Sequence, residues 1–192
     1  MAKIAIVYHS GYGHTAAVAE RVLKGAQSVP GVEARLIKAT EAADHWDFLD
    51  EADAHIYGSP TYMGDIASEL KKFFEETSRR WMERKWVGKL ASGFTNSGGL
   101  HGDKLHSLTS MLILAAQHGM IWVPLKHLAT GTGPDDINRI GAYLGPMAQS
   151  DHGKSAEQGA PPEGDRRTAE MHGADVARAA LQWIAGKSVA KA

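Results

Sequence analysis

Short apolar runs alternate with longer amphipathic stretches along this chain, and the alternation predicts its elements. Ile4 to Val7 reads as a strand within Lys3–Tyr8. Val18, Val22 and Ala26, with Ala19 and Leu23, then repeat at helical spacing. Gly31 opens a second strand, Val32–Ile37, whose weak alternation suits burial on both faces. Thr40–Glu51 is a polar connection with one helical turn at Trp46–Leu49. Asp53–Gly58 forms the third strand and runs into Ser59-Pro60-Thr61-Tyr62-Met63-Gly64. Leu70, Phe73 and Phe74 share a face of one long helix that Thr77 and Trp81 extend. Lys89–Thr95 is the fourth strand and ends in Asn96-Ser97-Gly98-Gly99. Leu105, Leu108, Leu112 and Ala115 give the next helix, closed by Gly119 just past its end. Met120–Pro124 is the fifth strand, and Arg166–Ile184 the closing helix. Between them, Leu125–Asp165 loses periodicity. A connection of that length is functional or disordered, and Met147–Ser150 within it is open between folding over a site and plain loop.

Five strands alternating with helices predict a parallel sheet covered on both faces, a three-layer α/β sandwich. Right-handed crossovers favour the flavodoxin-like order 2-1-3-4-5, as one domain over 1–192 with the 125–165 loop inside it. The chain reverses direction between strands one and three, and ligands bind beside such a switch point. The loops Ser10–Thr15, Ser59–Gly64 and Thr95–Gly99 should therefore converge. All three are rich in small, hydroxyl or amide residues, whereas the opposite loops near Pro30, Glu51 and Lys85 are not.

Composition narrows the function. The chain has 192 residues and a formal net charge of -1, which gives no reason to expect nucleic acid or an anionic membrane as partner. It contains no cysteine, so thiolate metal sites, disulfides and cysteine nucleophiles are excluded together. His101 and His106 stand five apart, off any shared helix face, and no metal site is expected. No apolar run is long enough to span a bilayer, and the first strand starts at once, so a cytoplasmic enzyme or binding protein is expected.

The first loop has the makings of an anion site: a strand, a hydroxyl- and glycine-rich turn, then a helix start. Gly11-x-Gly13-x-x-Ala16 matches the dinucleotide fingerprint only formally. His9 and Ser10 separate it from the apolar strand, and Lys38-Ala39-Thr40 offers no carboxylate for a ribose. No Gly-Lys-Ser/Thr is present, which excludes a P-loop. A phosphate held by the Ser10 and Thr15 hydroxyls and the amides of Gly11 to Thr15 remains, beside the plainer reading of a tight turn with Thr15 as helix cap.

Ser10-x-Tyr12-Gly13-His14-Thr15, Ser59-Pro60-Thr61-Tyr62-Met63-Gly64, Trp81, Gly88-Lys89-Leu90-Ala91-Ser92 and His118-Gly119-Met120 occur in this order. Together they resemble the flavodoxin-like NAD(P)H:quinone oxidoreductases of the WrbA type and the related NADPH-dependent FMN reductases. The resemblance implies FMN as cofactor and NAD(P)H as electron donor. By it, Ser10, Gly11, Tyr12, Gly13, His14 and Thr15 hold the phosphate. Pro60, Thr61, Tyr62, Met63 and Gly64 flank the ribityl chain and ring, and Thr95, Asn96, Ser97, Gly98 and Gly99 meet the ring's polar edge. His118 approaches the ring, while Tyr12 and Trp81 receive nicotinamide or a quinone, which makes His118, Tyr12 and Trp81 the catalytic set. It further implies a homodimer or homotetramer. The third loop departs from the family's Ser-Ser-Thr-Gly-Thr-Gly-Gly-Gly, reading Thr-Asn-Ser-Gly-Gly-Leu-His-Gly-Asp, and the connection between strands two and three is shorter. Competing expectations are an electron carrier without NAD(P)H turnover, a reductase that releases its flavin, and a non-enzymatic sensor. Residue by residue, His118 also suits the negative end of a helix dipole, and Trp81 a core or subunit interface.

Overall fold

The computed structural model describes residues 1–151 and 153–189; residues 152 and 190–192 of the expected 1–192 unit lie outside the described set. The strands are β1 (Ala2–Tyr8), β2 (Val32–Lys38), β3 (Ala54–Tyr62), β4 (Asp65–Ile66), β5 (Leu90–Ser97), β6 (Ile121–Trp122) and β7 (Met147–Gln149). The helices are α1 (His14–Gln27), α2 (Trp46–Glu51), α3 (Ser68–Glu76), α4 (Ser78–Met82), α5 (Lys104–Gln117) and α6 (Glu163–Val189), with a 3₁₀ turn at Ala39–His45.

The sheet is of the flavodoxin-like α/β type, but it has seven strands in the order β2-β1-β3-β5-β6, not five in the order 2-1-3-4-5. Two short strands make the difference. β4 folds back antiparallel on the end of β3, pairing Thr61 with Ile66 and Tyr62 with Asp65. The two-residue turn between them, Met63-Gly64, has positive φ at both positions (48° and 85°), the geometry of a primed hairpin turn. β7 runs parallel to the carboxyl half of β5, pairing Thr95, Asn96 and Ser97 with Met147, Ala148 and Gln149. β6 covers only Leu90 and Ala91, so the fifth position of the sheet is shared by two fragments, and part of the aperiodic loop becomes sheet.

α1 and α6 cover one face over Ile4, Ile6, Val18, Val22 and Val176. α2, α3 and α5 cover the other over Val7, Leu49, Leu70, Phe73 and Leu108. α1 and α6 meet backbone to backbone: a Cβ on Gly25 would stand 1.8 Å from the Glu170 carbonyl oxygen, and one on Gly173 2.1 Å from that of Val22. The long helix expected through Trp81 breaks at Thr77, whose hydroxyl donates to the Phe74 carbonyl (2.7 Å). Gly119 adopts φ 71° past the end of α5, in keeping with its position after the helical stripe.

Candidate active site at the carboxyl edge of the sheet

β1, β3 and β5 all end at the same edge, and their loops enclose a cleft of about 390 Å³, within the usual range for small-molecule sites of roughly 300–1,000 Å³. Tyr12, His14, Thr15, Pro60, Thr61, Tyr62, Asn96, Ser97 and Gly98 line it, all from the three expected loops. Ser150, Asp151 and Gly153 complete the wall from the long connection. The sequence leaves Met147–Ser150 open between folding over a site and plain loop, and it assigns neither Asp151 nor Gly153. The only signal is the short apolar–polar alternation Met147-Ala148-Gln149, too brief to read as a strand.

The first loop prepares an anion seat. Ser10 Oγ accepts hydrogen bonds from the Gly13 and Ala16 N–H groups, each 3.1 Å. Ser10 therefore caps α1, and Thr15 sits inside the helix rather than capping it. The N–H groups of Tyr12, His14 and Thr15 and the Thr15 hydroxyl take no protein partner among the described residues. These free donors stand at the positive end of a helix of 14 residues. The His14 ring donates instead to the Lys154 carbonyl (2.7 Å), which draws the long connection over the cleft. Tyr12 and Tyr62 meet edge to face, with ring centres 6.3 Å apart, as an aromatic wall. Tyr12 is mostly exposed, and burial pushes the Tyr62 phenol above its ordinary pKa.

Other expected residues lie elsewhere. Thr95 is wholly buried beneath the floor, where its hydroxyl bonds Thr61 (2.8 Å) and Thr61 bonds Ser107 (2.8 Å). The Gly99 carbonyl turns away from the cleft to accept from Lys104. Met63 is fully exposed at the hairpin turn with Gly64, and neither residue lines the cleft; nor do Ser10, Gly11 and Gly13, which form the turn behind it.

His118 and Trp81 line a cavity apart from the cleft. α5 leaves the carboxyl edge and runs 14 residues, about 21 Å, toward the opposite edge. His118 at its end is 2% exposed, its Nε2 bonded to the Thr77 hydroxyl (2.8 Å) and its ring 4.6 Å from that of Trp86. Burial, then the nearby Arg84 charge, lowers its pKa to about 4. Trp81, on α4, shares with His118 a separate cavity of about 420 Å³, together with Phe74, Ile113 and Leu114. The sequence places both residues near a ligand by resemblance, but the direction of the intervening helices carries them away from this chain's own cleft.

A larger hollow of about 540 Å³ lies between α1 and α6. Most of its charges are paired within it: Arg21 with Glu163 and Glu170, Lys24 with Glu170, Arg178 with Asp175. It lies on a face of the sheet rather than at the switch point, and the cleft is the better candidate.

A family model described as NADPH-dependent FMN reductase matches residues 38–135. A protein of Pseudomonas aeruginosa named flavodoxin FldP is 44% identical over 186 residues, covering 95% of this chain and 98% of the relative. The chain belongs to the flavodoxin-like NAD(P)H:quinone oxidoreductase and NADPH-dependent FMN reductase family. An NAD(P)H dehydrogenase (quinone) of Archaeoglobus fulgidus is 32% identical, covering 94% of this chain and 98% of that one. Among solved structures, a flavodoxin described as WrbA-like from Agrobacterium tumefaciens is 39% identical, with a TM-score of 0.75 over 95% of this chain and 99% of the other. The cleft fits the family's FMN: free neutral donors at a helix start suit a phosphate, and two tyrosines suit a flat ring.

Proposed function

We propose that this protein is an FMN-dependent oxidoreductase that takes two electrons from NAD(P)H and passes them to a quinone or a similar small acceptor. The observation that carries the reading is the set of unpartnered donors at Tyr12, His14 and Thr15 opening into a cleft walled by Tyr12 and Tyr62. FMN, when bound, supplies the hydride and electron chemistry. The chain's own part is to bind and orient. The N–H groups of the first loop and the Thr15 hydroxyl hold the phosphate. Pro60, Thr61 and Tyr62 form one wall, and Asn96, Ser97 and Gly98 offer polar groups to the ring. Tyr12, exposed at the rim, stands where a second flat substrate can stack. No helix of the described residues is long and apolar enough to cross a membrane, in keeping with a proposed cytoplasmic setting.

Trp81 and His118 take part only if a second copy brings its cleft against their apolar cavity, so a homodimer or homotetramer belongs to this proposal. A pure electron carrier is the second reading, favoured by the 44% identity to a protein named flavodoxin. An absorbance titration with FMN, followed by NADPH and then benzoquinone, tests both. Tight binding, bleaching and rapid recovery support the oxidoreductase. Binding without bleaching supports the carrier, and no binding removes FMN from the cleft.

A further inference from the structure

Lys104 opens α5 directly behind the third loop and has no exposed surface. Its Nζ donates to the Ser97 hydroxyl (2.8 Å) and to the Gly99 carbonyl (2.6 Å), spanning the back of the segment whose front faces the cleft. No carboxylate lies within 4 Å of it among the described residues, and one ammonium proton has no partner there. Buried cations are normally paired, because removing an ammonium from water is costly. The acid whose charge acts on it, Asp165, is already held by Arg139 through two bonds of 2.9 and 3.0 Å and by the Gln149 N–H at 2.9 Å. Gln149 in turn donates to the Gly98 carbonyl (3.0 Å) and accepts from Arg139 (3.0 Å). The loop is thus held by the Lys104 ammonium at Ser97 and Gly99 and by the Gln149 amide at Gly98, while Asp165 is committed to other partners.

We infer that Lys104 is a positioning residue whose positive charge, set behind Ser97–Gly99, favours the reduced form of a flavin held in the cleft. Adding a hydride, two electrons with one proton, leaves one extra negative charge on the ring. A buried cation behind the ring's polar neighbours stabilises that charge more than it stabilises the neutral oxidised ring. Burial lowers the Lys104 pKa to about 8, with Asp165 raising it and Arg139 lowering it further. The group therefore remains mostly protonated at neutral pH.

The inference rests on FMN occupying the cleft, and the experiment separates the two. Apo-protein is titrated with oxidised FMN, and the midpoint potential of the bound flavin is measured for the wild type, Lys104→Gln and Lys104→Arg. Gln keeps a donor for the loop but not the charge; Arg keeps the charge. Expected for Lys104→Gln is an oxidised-FMN affinity within threefold of wild type and about tenfold weaker binding of reduced FMN, a fall of about 30 mV for a two-electron couple. Lys104→Arg should restore most of it. Wild-type potential measured from pH 7 to 9.5 adds a test that needs no variant: a tenfold preference raises the Lys104 pKa by about one unit on reduction, so between about pH 8 and 9 reduction should take up roughly half a further proton. An unchanged potential in Lys104→Gln with no extra proton uptake, or equal weakening of both flavin forms, overturns the role of Lys104 alone. A wild type that binds no FMN overturns the cleft assignment as well.

Discussion

The two edges of the sheet are built on opposite principles. At the carboxyl edge, the cleft keeps donors unsatisfied: the amides of Tyr12, His14 and Thr15 and the Thr15 hydroxyl wait for an anion. At the amino edge, His118 is held by Thr77 and packed on Trp86, whose ring lies tilted 4.3 Å from that of His55, and the ring nitrogens without a partner there, both of His55 and Nδ1 of His118, are buried out of a ligand's reach. Free donors that a ligand can reach mark the place where this fold can bind an anion, whereas a buried polar atom without a partner only costs stability. Packed groups mark structure, even when their residue type suggests chemistry. Four measurements put this contrast between the edges at risk.

The largest effect concerns acid. Burial lowers the pKa of His55 to about 3 and those of His118 and His172 to about 4. All three stay neutral in the folded chain while the unfolded chain binds protons below the ordinary 6.5. Their stability is therefore present above about pH 6.5 and is lost as pH falls toward 4. The combined loss between pH 7.5 and 5.5 should be about 4 kcal/mol, read by denaturant unfolding at each pH. A flat profile would mean these rings are not buried as described.

His118→Ala comes next. It removes a hydrogen bond and the contact with Trp86, and should cost about 2–4 kcal/mol of stability. FMN affinity of the isolated subunit should change by less than threefold; a larger fall would bring His118 back to the cleft. Thr15→Ala should show the reverse pattern, weakening FMN by about ten- to a hundredfold (about 1.5–3 kcal/mol) with little change in melting temperature. Unchanged affinity by fluorescence titration would put the phosphate elsewhere.

The smallest effect tests the added wall. The Ser150 hydroxyl donates to Asn96 Oδ1 (2.8 Å), and its N–H to the Ser97 carbonyl (3.0 Å). Ser150→Ala removes the first bond and should weaken FMN by roughly threefold to tenfold, about 0.5–1.5 kcal/mol, through a looser third loop. No change would mean that Asn96 is held well enough by the β5–β7 pairing alone.

Much of the site is legible in the residues themselves. The first loop announces itself by local chemistry: an apolar strand, then Ser10, Gly11 and Gly13, then a helical stripe. Tyr62, Asn96 and Ser97 are readable because an alternating βα pattern puts every strand end on one edge. Thr95 and Gly99 are not, because long-range partners turn them inward: the Thr95 hydroxyl bonds Thr61, which bonds Ser107, and the Gly99 carbonyl accepts from Lys104. β7 escapes such reading because three residues carry too little periodicity to identify a strand; pairing with β5 makes it one.

The alternation of strands and helices, the parallel sheet and the edge at which ligands gather are properties of the sequence alone, because they follow from local periodicity and chain handedness. Folding in three dimensions adds the rest. It selects which hydroxyls face the cleft and brings the 147–151 segment round to wall it. It buries Lys104 behind the third loop without an ion partner, and it carries His118 and Trp81 to the far edge. Those outcomes depend on contacts between residues tens of positions apart, such as Ser150 with Asn96 and Thr77 with His118. No local pattern encodes such contacts.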